Sequence, residues 1–294
     1  LTLTLLGQIL LGNPASPLRK ALIDSELGTA LCDGTGFDAD CRDSMLVCGL
    51  KDVEESSADK IEVIIFDVLN DLWKNGIDKN MIESAIHQIE FHRKEVTNIP
   101  YPYGIKLLLT FAGSWFHGVN PVKILQFDAD LKRIRREILK GSFFESRIKR
   151  YFLDNPHRVL LTLVPDQLME QKELDRVSAK LDRIRSAMSP SELEKIKEDT
   201  KALKRLQEEV EDASCLPTLE LVEIPPTVQC VKSSTSYSTV PATCYQQPTS
   251  GIFYFSAVAG SGFLPKRLIP LVPFFCHAFS KIGTSVHDYT EMAR

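Results

Sequence analysis

The sequence predicts an α+β protein in three segments: a mixed α/β domain over residues 1–166, a long antiparallel helical hairpin over 167–215, and the start of a second α+β domain over 216–294. In the first segment, helical stripes of apolar residues alternate with short runs broken by glycine. From 167 to 212 there is no aromatic residue and no glycine, and charged residues dominate. Strand-like alternation then returns, which indicates a new domain.

The first fifty residues predict two helices followed by strands. Residues 1–12 form an apolar stretch that ends at a Gly-Asn-Pro sequence, which is a typical helix stop. Pro17 is tolerated at the first position of a second helix, which should close near Gly28. Between residues 29 and 53, several glycines separate short apolar runs, and this pattern favours strands over helices.

Two long helices and one strand should complete the first domain. Residues 57–75 carry an apolar stripe at helical spacing, and Gly76 follows as a stop. A second helix is predicted from a cap at Asp78 to about Asn98, where two closely spaced prolines end it. Further helices extend through Ile148. The run "HRVLLTLVPD", residues 157–166, predicts a closing strand.

The charged middle segment predicts two helices with apolar seams. The seam residues recur at spacings of mostly 3 and 4, and they are Leu174, Val177, Leu181, Ile184 and Met188, then Leu193, Ile196, Leu203, Leu206 and Val210. Between the helices, Ser189 is placed to cap the second helix, Pro190 to begin it and Glu192 to complete a capping box. We expect an antiparallel hairpin whose two seams close on each other.

The third segment predicts strands and then a helix. "SGIFYFSAVAGSGF" alternates in strand fashion. "LIPLVPFFCHAFSKIG" predicts an apolar helix that begins at proline and ends before Gly283.

The stretch "HQIEFH", His87 to His92, resembles a zinc motif at first sight. A helical zinc pair needs His at i and i+4, whereas these two are five residues apart and lie about 140° apart around the helix. Glu83, His87, Glu90 and Lys94 follow at helical spacing instead. We therefore predict a polar helix face with a Glu90–Lys94 pair and no metal.

No other motif predicts a catalytic, cofactor-binding or metal-ligating residue in this chain. "GTGFDA" lacks the third glycine of a phosphate-binding loop and predicts a turn. Ser261 in "AGSGF" lacks the spacing of a nucleophile elbow and is expected in a turn or at a strand end. The basic cluster over 132–140 is interrupted by Glu137, which favours a solvated helix face. Cys276 and His277 are adjacent, so ordinary helix packing is expected.

Composition excludes several functional classes. With a net charge of −4, the protein has no global positive field for nucleic acid or an anionic membrane surface, and no apolar run reaches transmembrane length. The seven cysteines are odd in number and form no C-x-x-C pair, which predicts free thiols in a reducing intracellular compartment, either a bacterial cytoplasm or an organelle matrix. Both ends are expected to be cut from a longer protein, because no initiator Met or signal sequence is present.

Six stretches together carry a family resemblance. They are "LLGNPASPLRKALIDSELG", "NGIDKNMIESAIHQIEFHRKE", "DNPHRVLLTLVPD", "LDRIRSAMSPSELEKI", "CLPTLELVEIP" and "LIPLVPFFCHAFSKIGTSVHDYTEMAR". In this order they resemble the middle of a pitrilysin/insulinase-type inverted zinc metallopeptidase, in the branch of presequence protease and falcilysin.

The resemblance implies a parent enzyme in which two halves, each of two α+β domains, enclose a chamber for unstructured peptides, and a helical hairpin joins the halves. It implies that residues 1–166 are most of the second domain, 167–215 the hairpin and 216–294 the start of the third. The zinc motif and its Glu ligand would lie in the first domain, and a substrate-contacting Arg/Tyr pair in the fourth. No functional residue of the family therefore falls on a position in this sequence.

Three hypotheses follow. The first is a non-catalytic central segment of a zinc metalloendopeptidase, with zinc bound outside this chain, peptides as substrates and the remaining domains of the same protein as partners. The second is a scaffold or peptide-binding protein that docks through the helical hairpin. The third, nucleic-acid binding through residues 132–150, is disfavoured by the net negative charge.

Overall fold

A computed structural model describes residues 1–210, 212–228, 230–237, 239–279 and 281–292. The chain divides into two compact units. The first unit comprises Leu1–Thr162 with Pro248–Arg294, and the second comprises Leu163–Gln247.

Helices dominate the structure, and the strands are short. The helices are α1 (Thr2–Leu11), α2 (Pro17–Asp24), α3 (Ala58–Asn75), α4 (Lys79–Lys94), α5 (Tyr103–Phe116), α6 (Pro121–Leu125), α7 (Phe127–Ile138), α8 (Phe143–Ile148), α9 (Met169–Ala187), α10 (Pro190–Glu208), α11 (Val272–Ala278) and α12 (Tyr289–Met292). The strands are β1 (Ala30–Leu31), β2 (Gly36–Asp38), β3 (Met45–Val47), β4 (Leu50–Lys51), β5 (Ser233–Ser236) and β6 (Ala242–Tyr245). The predicted α+β class is confirmed.

The core of the first unit lies where α1 meets the long helices. The fully buried side chains include Leu5, Leu6, Ile9 and Leu10 of α1, Ile86 of α4, Ile134 of α7, and Phe144 and Ile148 of α8. Leu69 and Leu72, from the predicted stripe on α3, join the same cluster. The cluster fixes α4, whose outer face carries the sequence "HQIEFH".

The two predicted helices at the start of the chain are confirmed. α1 ends at the predicted Gly-Asn-Pro stop, where the side chain of Asn13 accepts a hydrogen bond from the backbone N–H of Ala15 at 2.9 Å. α2 begins at Pro17 as expected but ends at Asp24, four residues before Gly28. There the hydroxyl of Ser25 donates to the carbonyl of Leu22 at 2.7 Å, which satisfies a carbonyl at the helix end.

The predicted strands between residues 29 and 53 form two antiparallel pairs, β1 with β4 and β2 with β3. α1 approaches β2 closely at Gly7, where a Cβ atom would lie 2.9 Å from the Cβ of Phe37. The close approach explains a glycine in the middle of a helix, because any larger side chain would push the two elements apart.

The strand predicted over residues 157–166 is wrong. The segment has no strand assignment, and its apolar side chains at Val159, Leu160, Leu161, Leu163 and Val164 are 51–86% exposed. Residues 252–260, also predicted as strand, have no strand assignment either. Alternation indicates which side chains could face a core, but a strand forms only when a neighbouring strand accepts and donates its hydrogen bonds.

In the second unit, the predicted helices and their capping box are confirmed. The backbone N–H of Ser189 donates to the carboxylate of Glu192 at 2.8 Å, and the hydroxyl of Ser189 accepts from the N–H of Glu192 at 3.3 Å. The expected closure of the two seams is wrong. The seam residues Leu174, Val177, Leu181, Ile184, Ile196, Leu203 and Leu206 are 42–69% exposed. Seam spacing fixes which face is apolar but does not determine what covers it.

The second unit also contains a strand pair that the sequence pattern did not reveal. β5 and β6 pair antiparallel within a Ser/Thr-rich stretch, and their side chains are exposed. In the first unit, the helix predicted in "LIPLVPFFCHAFSKIG" is confirmed as a short 3-10 turn followed by α11, and Ser280 in that stretch lies outside the described residues.

Candidate functional site

The stretch "HQIEFH" lies on α4, which begins where the side chain of Asp78 accepts a hydrogen bond from the N–H of Asn80 at 2.9 Å. One side of the helix buries Ile82, Ala85 and Ile86 in the core. The helix ends at Lys94, four residues before the predicted end near Asn98.

The polar face of α4 is an ion-pair network. The ammonium of Lys94 lies 2.6 Å from the carboxylate of Glu90, which confirms the predicted pair. Arg135 of α7 reaches both Glu83, at 3.2 Å, and Glu90, at 3.5 Å. The hydrogen bond from Lys94 is the main reason that the pKa of Glu90 lies below its ordinary value, and Arg135 lowers it further. The network holds α4 to α7 and leaves no carboxylate on this face poised as a base.

The two histidines do not form a metal site. His87 and His92 are both exposed, and the ring of His92 makes an edge contact with the ring of Phe91 at 5.9 Å between centroids. Within the described residues, no group of three or more His, Cys, Asp or Glu side chains could hold a metal ion. The residues present therefore do not fit a zinc ion.

The other candidate motifs occupy ordinary structural positions. In "GTGFDA", Gly34 has a φ of +76° in a turn and Gly36 begins β2. The predicted turn at Ser261 is confirmed by its carbonyl, which accepts from the N–H of Leu264 at 3.0 Å. Cys276 and His277 are exposed on α11, so the packing expected for this pair is wrong, because the helix buries Ala278 instead.

The basic cluster on α7 is a solvated helix face, as predicted. Arg133 pairs with Asp130 at 3.0 Å, and Lys140 pairs with Glu137 at 2.6 Å. With Arg135 engaged by α4, much of the positive charge here is balanced by carboxylates of the same chain. A nucleic-acid surface would need these cations to be available for phosphate groups.

A pocket that sequence reasoning missed lies between α2 and β1. Its volume is about 480 Å³, and its walls include Leu11 from the end of α1, Arg19 and Ile23 from α2, and Leu31 from β1. The turn over residues 32–35 closes one side. These residues come from three separate stretches, so no local motif could have indicated them.

Two cysteines lie near this pocket, Cys32 directly after β1 and Cys48 directly after β3. Burial raises the pKa of the Cys48 thiol to about 11, and Cys32 contributes to the same increase. Cys48 is therefore protonated at neutral pH and a poor nucleophile. All seven cysteines carry free thiols, and no helix in the described part of the chain is long and apolar enough to cross a membrane.

Comparison with known proteins gives a consistent family assignment. The family described as peptidase M16, subfamily C, associated matches residues 163–294. A mitochondrial presequence protease of Xenopus tropicalis is 34% identical over 296 residues, which cover 100% of this chain and 28% of that protein. Presequence protease 1, chloroplastic/mitochondrial, of Arabidopsis thaliana is 32% identical over 300 residues, which cover 99% of this chain and 28% of the relative.

A bacterial relative has a similar extent. Protein HypA of Clostridium perfringens is 29% identical over 297 residues, which cover 100% of this chain and 30% of that protein. The chain thus spans less than a third of the length of these relatives. The resemblance expected from the sequence is confirmed: the chain corresponds to an internal segment of a peptidase of the presequence-protease type.

Proposed function

We propose that this chain is the non-catalytic central segment of a zinc metalloendopeptidase that degrades unstructured peptides inside a closed chamber. The observation that carries the proposal is the similarity of the whole chain to presequence proteases, over about 28% of their length. The described residues offer no group that could bind the metal, which supports placing the catalytic centre in another part of the parent protein.

Zinc is the metal of the proposed parent enzyme, and it would polarise a bound water molecule for attack on a peptide bond. The residues of this chain do not fit such an ion, so its ligands belong to the parent outside this segment. Residues of this chain act on the peptide by shape and binding.

In the proposed architecture, residues 1–166 form part of the chamber wall, residues 167–215 form the hinge, and residues 216–294 begin the next domain. The single apolar core that joins α1, α3 and α4 suits a rigid wall. The exposed seams of α9 and α10 suit a hinge element that packs against other parts of the parent protein.

The proposed partners are peptide substrates, bound by the full-length protein, and the remaining domains of that protein. Relatives described as mitochondrial or chloroplastic support an organelle matrix as the compartment, and the clostridial relative leaves a bacterial cytoplasm as the counterpart. The seven free thiols suit a reducing compartment of either kind.

The test is to measure peptide hydrolysis and bound zinc in the 294-residue chain and in a presequence protease prepared in parallel. We expect no cleavage of a fluorogenic peptide by the chain and substoichiometric zinc by mass spectrometry, while the presequence protease cleaves. Hydrolysis that co-purifies with the chain, or one zinc per chain, would overturn the assignment as a non-catalytic segment.

A scaffold or peptide-binding protein that docks through the hairpin is the second candidate, and the exposed seams of α9 and α10 favour it. The genomic reading frame distinguishes the two. An H-x-x-E-H motif encoded upstream in the same frame supports the enzyme. A start codon immediately before Leu1 and a stop codon after Arg294 support the scaffold.

A further inference from the structure

The pocket between α2 and β1 exposes the unpaired edge of a strand. β1 pairs with β4 on one side, with Leu31 opposite Leu50, and the N–H of Cys32 donates to the carbonyl of Gly49 at 2.9 Å. Hydrogen-bonded and non-hydrogen-bonded pairs alternate in an antiparallel ladder, so the N–H and C=O of Leu31 point away from β4. Among the described strands, β1 has no second neighbour. This edge can therefore accept an added peptide strand.

A cation stands beside this edge without a carboxylate. Arg19 is half-buried in the pocket wall, and it forms no ion pair with any residue that the structure describes. The next residue, Lys20, is already paired with Asp24 at 2.6 Å. Asp33, the acidic residue of the pocket wall, is neutralised by Lys51 at 3.3 Å. The guanidinium of Arg19 is thus the charge left for an incoming ligand.

The rest of the wall is apolar. Leu11 and Ile23 face the same pocket, and Ile23 is 40% exposed although it is a large aliphatic side chain. A volume of about 480 Å³ is within the range of small-ligand sites. The pocket combines a main-chain edge, an apolar wall and one cation.

We propose that this pocket binds the C-terminal end of an extended peptide. The peptide main chain pairs with the free edge at Leu31, its last side chain packs on Leu11 and Ile23, and its terminal carboxylate is bound by Arg19. Arginine binds a carboxylate through two parallel hydrogen bonds, which gives the site a strong preference for that group. The inference rests on the proposed function, because it names one place where the chamber wall holds peptides.

Two features favour a chain end over a peptide that continues through the pocket. β1 is only two residues long, so it can pair with a very short stretch of main chain. The turn over residues 32–35 closes the pocket beyond the strand, where a continuing peptide would have to leave. A terminal carboxylate places its charge where the main chain stops.

The test uses the complete 294-residue chain and a fluorescein-labelled pentapeptide of alternating alanine and valine that ends in leucine. Binding is measured by fluorescence anisotropy in the presence of EDTA, with the peptide as free acid and as C-terminal amide. We expect the free acid to bind about tenfold or more tightly than the amide, as for a hydrogen bond to a charged group.

Two variants separate the role of Arg19 from a general charge effect. Arg19→Gln should abolish the preference for the free acid, whereas Lys20→Gln, which removes the same charge one residue away, should retain it. Circular dichroism establishes that both variants fold. Equal binding of acid and amide by the unaltered chain, or an unchanged preference in Arg19→Gln, would overturn the proposal.

A third peptide tests the source of the carboxylate. It is amidated and carries an aspartate at the second position from its C-terminus. If it binds as tightly as the free acid, recognition of a chain end is refuted. Because the assay needs no zinc and no cleavage, a negative result leaves the assignment as a peptidase segment standing. Hydrolysis by the chain would remove that assignment without altering the anisotropy.

Discussion

The ammonium of Lys94 lies 2.6 Å from the carboxylate of Glu90, one turn earlier on α4, and Arg135 of α7 approaches the same carboxylate at 3.5 Å. The three charges join the face of α4 that carries His87 to a neighbouring helix. This arrangement explains the polar residues of "HQIEFH" without any catalytic role.

The Glu90 network predicts a pH-dependent contribution to stability. The pKa of Glu90 is lowered in the folded protein, chiefly by the hydrogen bond from Lys94. Its contribution is therefore present above the unfolded pKa of about 4.3 and is lost as pH falls through the lower folded pKa. Glu90→Gln should lower the free energy of unfolding slightly at about pH 7, measured by urea denaturation. The difference from the unaltered chain should shrink below about pH 4, and a constant difference would contradict the ion-pair explanation.

The approach of α1 to β2 predicts opposite effects for two glycine substitutions. Gly7→Ala would place a Cβ atom 2.9 Å from that of Phe37, so the clash should outweigh the better helix propensity of alanine and cost about 1–3 kcal/mol. A Cβ atom added at Gly104 in α5 would meet no neighbouring atom within 4 Å, and Gly104→Ala should stabilise by up to about 1 kcal/mol. Urea denaturation measures both, and stabilisation by Gly7→Ala would refute the close approach.

The elements predicted well from the sequence are those whose signals are local. α1, α3 and α4 follow apolar stripes of helical spacing, and α10 begins at its predicted capping box. A helix forms its hydrogen bonds within a few residues, so its stripe, cap and stop lie in one short stretch.

The elements predicted poorly depend on distant partners. Residues 157–166 alternate as a strand would, yet no strand assignment results there. The seams of α9 and α10 have the correct spacing, but a spacing cannot specify the surface that covers it. The pocket beside Arg19 combines residues 11, 19 and 31, and only the folded chain brings them together.

The buried Cys48 predicts unequal reactivity among the thiols. Because burial raises its pKa to about 11, little thiolate forms at about pH 8, and alkylation by iodoacetamide should be much slower than at exposed Cys41. Peptide mapping by mass spectrometry measures the rate at each cysteine. In urea, where burial is lost, the two rates should become similar. Equal rates in the folded chain would contradict the burial of Cys48.

Helix geometry predicts that replacing either histidine on α4 leaves metal binding unchanged. Five residues separate His87 and His92, which places their side chains about 140° apart around the helix and about 7.5 Å apart along it. Zinc requires nitrogen ligands at about 2.0–2.1 Å from one point, and these two rings diverge from any common point. His87→Ala, His92→Ala and the double variant should therefore match the unaltered chain in zinc affinity, measured by competition with a chromogenic chelator. His157→Ala is the matched control, because His157 is exposed and lies outside α4. Weaker zinc binding in the double variant, with the control unchanged, would mean that the two imidazoles do share an ion.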